Sequence, residues 1–199
     1  MFEEARRDVW THARKMWEAG LVTGSAGNVS RRAGEGHIAI TPTSVAYDVL
    51  SPEQIVIVEL ESGRAVETSV APSYELPMHL VVYRRRPDIS AIVHTHAPFV
   101  TTLSVLRRPL PPVIDEMIVL FGGTIPVTGY ALTGTADVGE NVVNALGDGG
   151  AVILASHGNV CVAGDLPRAL HLAMAMEAGA RVYVQALAIG QPVELKTAR

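Results

Sequence analysis

The sequence predicts a single layered α/β domain spanning residues 1–199, with a largely antiparallel central sheet. Three observations predict it. Short β-forming runs are joined in pairs by tight turns, stretches of helical periodicity alternate with them, and no linker, low-complexity tract or repeat interrupts the order. A chain of 199 residues, 48% apolar and 18% charged, is also long enough for one well-buried core and far from the composition of disorder.

Residues 3–19 read as a helix, because Val9, Trp10, Ala13, Met16 and Trp17 recur at spacings of three and four and Gly20 supplies a stop. Residues 24–30 form a glycine-rich turn that leads to a strand over 37–41, halted by Pro42. A buried strand over 55–60 turns at 61–64 into its hairpin partner, 65–68. A second helix begins near Ser73, since Pro77 is tolerated only in a first turn, and ends before Pro87. Residues 90–96 are a strand and 124–127 a short one; the helix that follows Thr135 runs to Leu146. Residues 151–155 and 159–162 make an apolar hairpin. Asp165 caps a last long helix, with Pro167 in its first turn, that ends before Gly190.

A net charge of −4 excludes an overall basic field for nucleic acid, and the arginine runs 84–86 and 107–108 read as solvated faces. No run approaches the ~18 consecutive apolar residues of a membrane span. The N-terminus is charged from the start and lacks the apolar core of a signal peptide. A soluble, cytoplasmic protein without a nucleic-acid or membrane partner is expected. The lone cysteine, Cys161, excludes an intrachain disulfide, and its strand setting makes it a small core filler.

Of seven histidines, His12 and His171 fall on helices as surface or interface residues and His37 opens a strand. His94 and His96 are different. In Ile92-Val93-His94-Thr95-His96 a β-forming run places two imidazoles at i and i+2, on one face, as a metal-binding pair or as two satisfied cleft histidines. His157 lies in the turn after an apolar strand and can point back over the sheet. Three imidazoles with one open position are the donor set of a catalytic zinc site, and a closed thiolate site is not available with one cysteine. Glu75 sits at the start of the second helix, where the dipole favours a carboxylate; beside a metal it would be ligand, base, or each in turn. His79, one turn beyond, supports that site or packs beneath it instead of ligating. Residues 24–28 are either an ordinary glycine turn or a phosphate site built from backbone N–H groups and short hydroxyls.

Gly27-Asn28-Val29-Ser30, Thr41-Pro42-Thr43, Glu75, Arg86-Pro87-Asp88 ahead of His94-Thr95-His96, and His157-Gly158 occur in the order of the class II aldolase/adducin superfamily, which the chain resembles from about residue 5 to residue 190. The resemblance implies a three-layer α/β/α fold around an antiparallel sheet, and a homotetramer with active sites at subunit interfaces. It implies Zn2+, or another divalent metal, held by His94, His96 and His157, with Glu75 as ligand at rest and acid/base in turnover. It further implies that Gly27, Asn28, Thr43, Ser44 and Ser73 hold a substrate phosphate. Ser44 stands where the family's aldolases carry glycine, Tyr74 where they carry a second serine, and Glu116 where they carry a tyrosine that serves the aldehyde oxygen. Glu116 is therefore either a substitute proton donor or a surface carboxylate. A family tyrosine that closes over the site lies beyond Arg199 in the expected alignment.

The function expected is zinc-dependent, reversible cleavage of a ketose 1-phosphate into dihydroxyacetone phosphate and an aldehyde. The alternatives within the superfamily are a pentulose-phosphate 4-epimerase, a sugar-acid phosphate decarboxylase and a thiosugar-phosphate dehydratase. A noncatalytic adducin-like module is the remaining one, disfavoured because all three histidines are present.

Overall fold

The computed structural model describes residues 2–67 and 70–196. Among these residues seven strands form one sheet in the order β4-β3-β2-β1-β5-β7-β6, every neighbouring pair antiparallel. They are β1 (Asn28–Arg32), β2 (His37–Ile40), β3 (Val56–Glu59), β4 (Ala65–Glu67), β5 (Ala91–Thr95), β6 (Ala151–Leu154) and β7 (Gly158–Ala163). Among the described residues six α-helices cover it: α1 (Glu3–Glu18), α2 (Leu76–Arg85), α3 (Pro98–Val105), α4 (Asp115–Phe121), α5 (Ala136–Leu146) and α6 (Leu166–Ile189).

Alternation along the strands makes three layers. Val29, Ala39, Ile57, Val93, Ile153 and Cys161 point to one side, where α1, α3, α4 and α6 bury Val9, Met16, Leu103, Met117 and Met176. Ile38, Ile40, Val56, Val58, Ile92, Val152 and Val160 point to the other, beneath Met78 and Val82 of α2 and Val138 and Val142 of α5. This is the α/β/α arrangement around an antiparallel sheet. Among the described residues, α6 is the one helix long and apolar enough to cross a membrane by length and composition. Leu166, Ala169, Leu170, Ala173, Met176 and Ala180 of that helix join the first core layer. Cys161 is fully buried there, and burial pushes its thiol pKa up to about 12.

Several sequence expectations are corrected. The turn over 24–30 ends at Gly27: Asn28 already pairs with His94 as the first residue of β1. Gly27 explains why, since it holds φ +71° and a Cβ there would lie 2.6 Å from the His94 carbonyl oxygen. Residues 124–127 form no ladder strand but two isolated bridges, Leu110 with Ile125 and Val127 with Ile153. His12 is buried, because it shares the inward stripe of α1 with Val9, Ala13 and Met16. Thr68, the predicted end of the β4 hairpin, lies outside the described residues.

Helices α3 and α4 carried no sequence signal. Residues 98–105 hold two Thr and two Val in eight positions, a poor helical composition, and α4 has seven residues. The start of α3 is held from a distance. Glu177 of α6 accepts hydrogen bonds from Phe99 N–H and Val100 N–H, each at 3.0 Å, with one carboxylate oxygen for each. Burial pushes the Glu177 pKa up even though both donors favour its charged form. Because α3 begins two residues after His96, this clamp fixes where the chain leaves β5. Glu177→Ala is expected to lower stability by about 1–2 kcal/mol, as loss of a helix cap does, with Glu177→Gln between it and wild type. Urea midpoints at constant m-value test this, and an unshifted midpoint for the alanine variant would rule the clamp out.

Candidate active site

His94 in β5 and His96, the first residue beyond that strand, share the face toward the α2 side, as two-residue spacing along extended chain requires. His157 comes from the turn between β6 and β7, and Gly158 lets that turn close on β5. A Cβ at Gly158 would sit 2.1 Å from the Thr95 carbonyl oxygen. The three rings meet edge to face, with centroids 4.8–4.9 Å apart. Glu75, the residue before α2, completes the group: one oxygen lies 2.9 Å from His94 Nε2 and the other 3.3 Å from His157 Nε2. One donor atom from each of the four residues falls within 4.8 Å of all the others.

The chemistry of this set fits a divalent cation. His94 Nδ1 lies 2.8 Å from the Asn159 carbonyl oxygen, which must accept from an N–H there. That leaves the lone pair of Nε2 directed at the centre, the usual support for a metal-bound imidazole. Yet His94 Nε2 lies only 3.0 Å from His96 Nε2 and 2.9 Å from a Glu75 oxygen. Such converging lone pairs are reconciled by a shared cation or by protons, and protons are disfavoured at two of the rings. Burial lowers the His96 pKa to about 3 and that of His157 to about 4, with the neighbouring His94 adding to both. Burial alone would raise the Glu75 pKa, but His94, His157 and the Asn28 amide hold its carboxyl far below the usual range. Burial would lower the His94 pKa, but Glu75 and the Asn159 carbonyl raise it, so a cation at the centre would compete with a proton on that ring alone. His94, His96, His157 and Glu75 are thus the residues that could hold a metal, three imidazole nitrogens and one carboxylate.

Above the cluster opens a cleft of about 260 Å³. Gly27, Asn28, Thr43, Ser44 and Ser73 all line it, together with Tyr74, Glu75, His96, Thr133 and His157. The five residues of the expected phosphate cradle therefore share one cleft with the metal-type cluster. The segments carrying them are joined by backbone bonds: Thr43 N–H donates to the Ala71 carbonyl, and Ser73 N–H to that of Thr41, both at 3.0 Å. Ser44 keeps a left-handed backbone, φ +57°, the conformation glycine adopts most easily. Tyr74 is exposed at the rim, its ring against Gly134. Glu116 is not brought to this cleft within one chain; it stands exposed in the first turn of α4.

Sequence reasoning missed four contributors. Tyr47 donates its hydroxyl to the Gly27 carbonyl at 2.8 Å, fixing the cradle loop. Thr133 donates to Glu75 Oε1 at 3.0 Å from a segment without regular structure. Ser30 and Tyr83 join His79 in a buried polar chain that ends at Asn28. Ser30 ends the motif Gly27-Asn28-Val29-Ser30, but no local pattern shows what any of the four touches, because each meets its partner across 20 to 58 residues of chain.

The comparisons agree with this geometry. Residues 7–184 match the model of the class II aldolase and adducin N-terminal domain. A 5-deoxy-D-ribulose 1-phosphate aldolase of Bacillus thuringiensis is 34% identical over 193 residues, covering 96% of this chain and 90% of that protein. An L-fuculose phosphate aldolase of Escherichia coli is 38% identical over 179 residues, covering 90% of this chain and 82% of that protein. A solved L-fuculose 1-phosphate aldolase superposes with a TM-score of 0.91 at 34% identity, over 97% of this chain and 91% of that one. With the metal-type cluster, the cleft above it and the antiparallel three-layer fold in place, the chain belongs to the class II aldolase and adducin family.

Proposed function

We propose that this chain is a zinc-dependent aldolase that reversibly cleaves a ketose 1-phosphate into dihydroxyacetone phosphate and an aldehyde. The observation that carries the reading is the convergence of His94, His96, His157 and Glu75 at the floor of a cleft lined by Gly27, Thr43 and Ser73. A divalent cation held by the three imidazoles would supply Lewis acidity to the ketose carbonyl oxygen, where negative charge builds as the carbon–carbon bond breaks. Glu75 is a ligand at rest and the proton carrier in turnover. In the cleavage direction it returns a proton to the carbon that keeps the bonding electron pair. In synthesis it removes that proton from dihydroxyacetone phosphate. Asn28 and Thr133 hold its two oxygens from opposite sides, at 2.8 and 3.0 Å. The phosphate rests against the loop at Gly27 and Asn28 and the hydroxyls of Thr43, Ser44 and Ser73.

The enzyme works in the cytoplasm as a homotetramer. In that assembly Glu116, exposed on α4, serves the aldehyde oxygen from a neighbouring subunit. The split between fuculose-type and 5-deoxyribulose-type relatives defines the assay. Metal-loaded protein is incubated with fuculose, rhamnulose, ribulose and 5-deoxyribulose phosphates. Dihydroxyacetone phosphate from at least one of them is expected; an isomeric pentulose phosphate as sole product would replace aldolase by epimerase.

Thr43→Ala tests the cradle separately. Loss of one hydrogen bond to a charged group, about 1.5–3 kcal/mol, should raise KM for the phosphorylated substrate about tenfold or more, with metal content unchanged. Equal wild-type KM values for phosphorylated and dephosphorylated sugars would remove the cradle from the reading.

A further inference from the structure

Beneath the cleft a chain of side chains leads from the interior to Glu75. Asn28 and Ser30 lie two apart on β1, on the face toward α2, and His79 and Tyr83 lie one turn apart on α2. Tyr83 Oη is 2.8 Å from Ser30 Oγ, and Ser30 Oγ is 2.6 Å from His79 Nδ1. His79 Nε2 is 2.5 Å from Asn28 Oδ1, and Asn28 Nδ2 is 2.8 Å from Glu75 Oε2. His79 and Ser30 are fully buried, and Tyr83 and Asn28 are 1% and 2% exposed, so water does not serve as a substitute partner.

Full burial lowers the His79 pKa to about 3, and for a neutral imidazole only one hydrogen arrangement satisfies every link. A carboxylate offers acceptors alone, so Asn28 must turn its NH2 to Glu75 and its carbonyl oxygen to His79. That oxygen needs a donor, which puts the imidazole proton on Nε2. Nδ1 then accepts from the Ser30 hydroxyl, whose oxygen accepts in turn from Tyr83 O–H. Every donor points toward Glu75. If the His79 proton moved to Nδ1, the Asn28 amide would lose the partner that fixes it. A flipped amide would set its oxygen against the carboxylate.

We propose that His79 is a positioning residue: by donating from Nε2 it locks the Asn28 amide in the orientation that holds Oε2 of Glu75. The proposal rests on the reading of Glu75 as the proton carrier. Substitutions one hydrogen bond away from a metal-site group typically cost 10–100-fold in activity, and His79 acts two bonds away through a rigid, buried amide.

The test uses the full-length, zinc-loaded protein. In uniformly 15N-labelled wild type, long-range proton–nitrogen correlations should show His79 neutral, protonated at Nε2 and bare at Nδ1. The signal is identified by its absence in His79→Gln. His79→Leu should lower kcat by about 10–100-fold. His79→Gln, whose side-chain amide can place a donor near the Nε2 position, should recover most of it. In a Glu75→Gln background the leucine substitution should add little, because the group it positions is already lost. A proton on Nδ1, or an equal loss from His79→Leu in both backgrounds, overturns the proposal, and the tautomer result stands even if the leucine variant does not fold. Wild-type turnover by Glu75→Gln would instead overturn the reading of Glu75, and this proposal with it.

Discussion

Glu75→Gln is expected to keep most of its metal and to lose about 10²- to 10⁴-fold in kcat, the usual contribution of a positioned acid–base group. The structure makes this substitution unusually clean. Glutamine can present its oxygen to the Asn28 amide and its NH2 to the Thr133 hydroxyl, so both contacts that hold Glu75 survive. The three imidazoles come from β5, the residue that follows it and the β6–β7 turn, and do not depend on residue 75 for their placement. What glutamine lacks is a titratable oxygen. The sharper measurement omits the aldehyde: in heavy water, wild-type enzyme should wash deuterium from solvent into dihydroxyacetone phosphate at the carbon alpha to the carbonyl. The variant should bind the same compound and exchange it very slowly. Wild-type-like exchange would place the base elsewhere, and Glu116 would be the first residue to replace.

The parts of this site that could be read from the sequence are those fixed by local geometry. His94 and His96 share a face because strand side chains alternate, whatever the sheet around them. Pro77 located the start of α2 to within a few residues, and with it Glu75. The hairpin order of β6 and β7 put His157 at a turn. The unread parts depend on the partners those elements meet. Gly27-Asn28 looked like the middle of a loop because the residue that ends the turn and the one that starts β1 differ only in what lies beside them, the backbone of β5. Helix α3 is stabilised by Glu177, 77 residues away from Val100, so no local pattern announces it. Thr133 and the Tyr83–Ser30–His79 chain are likewise tertiary facts.

Replacing His94, His96 or His157 singly by alanine is expected to remove most bound metal and nearly all activity. Each change takes one of three nitrogens from a site that has one carboxylate besides. His94 should be the most severe. It is fully buried, its Nδ1–H is held by the Asn159 carbonyl, and the Asn159 side chain is itself held by Thr95 at 2.6 Å. A water replacing that imidazole would find the position enclosed on β5, whereas His96 and His157 are partly open to the cleft. Metal analysis of the purified variants, beside about one zinc per wild-type chain, measures the effect. Full occupancy in all three would show that the cluster is not the metal site. Chelation of the wild type should remove activity yet leave the fold, because both core layers are built from apolar residues outside the cluster. Stability should then rise on adding zinc back, by about 2.7 kcal/mol when free metal is a hundredfold above its dissociation constant. That dependence should vanish in the His94 variant, since a chain unable to bind the cation in its native state gains nothing from its presence.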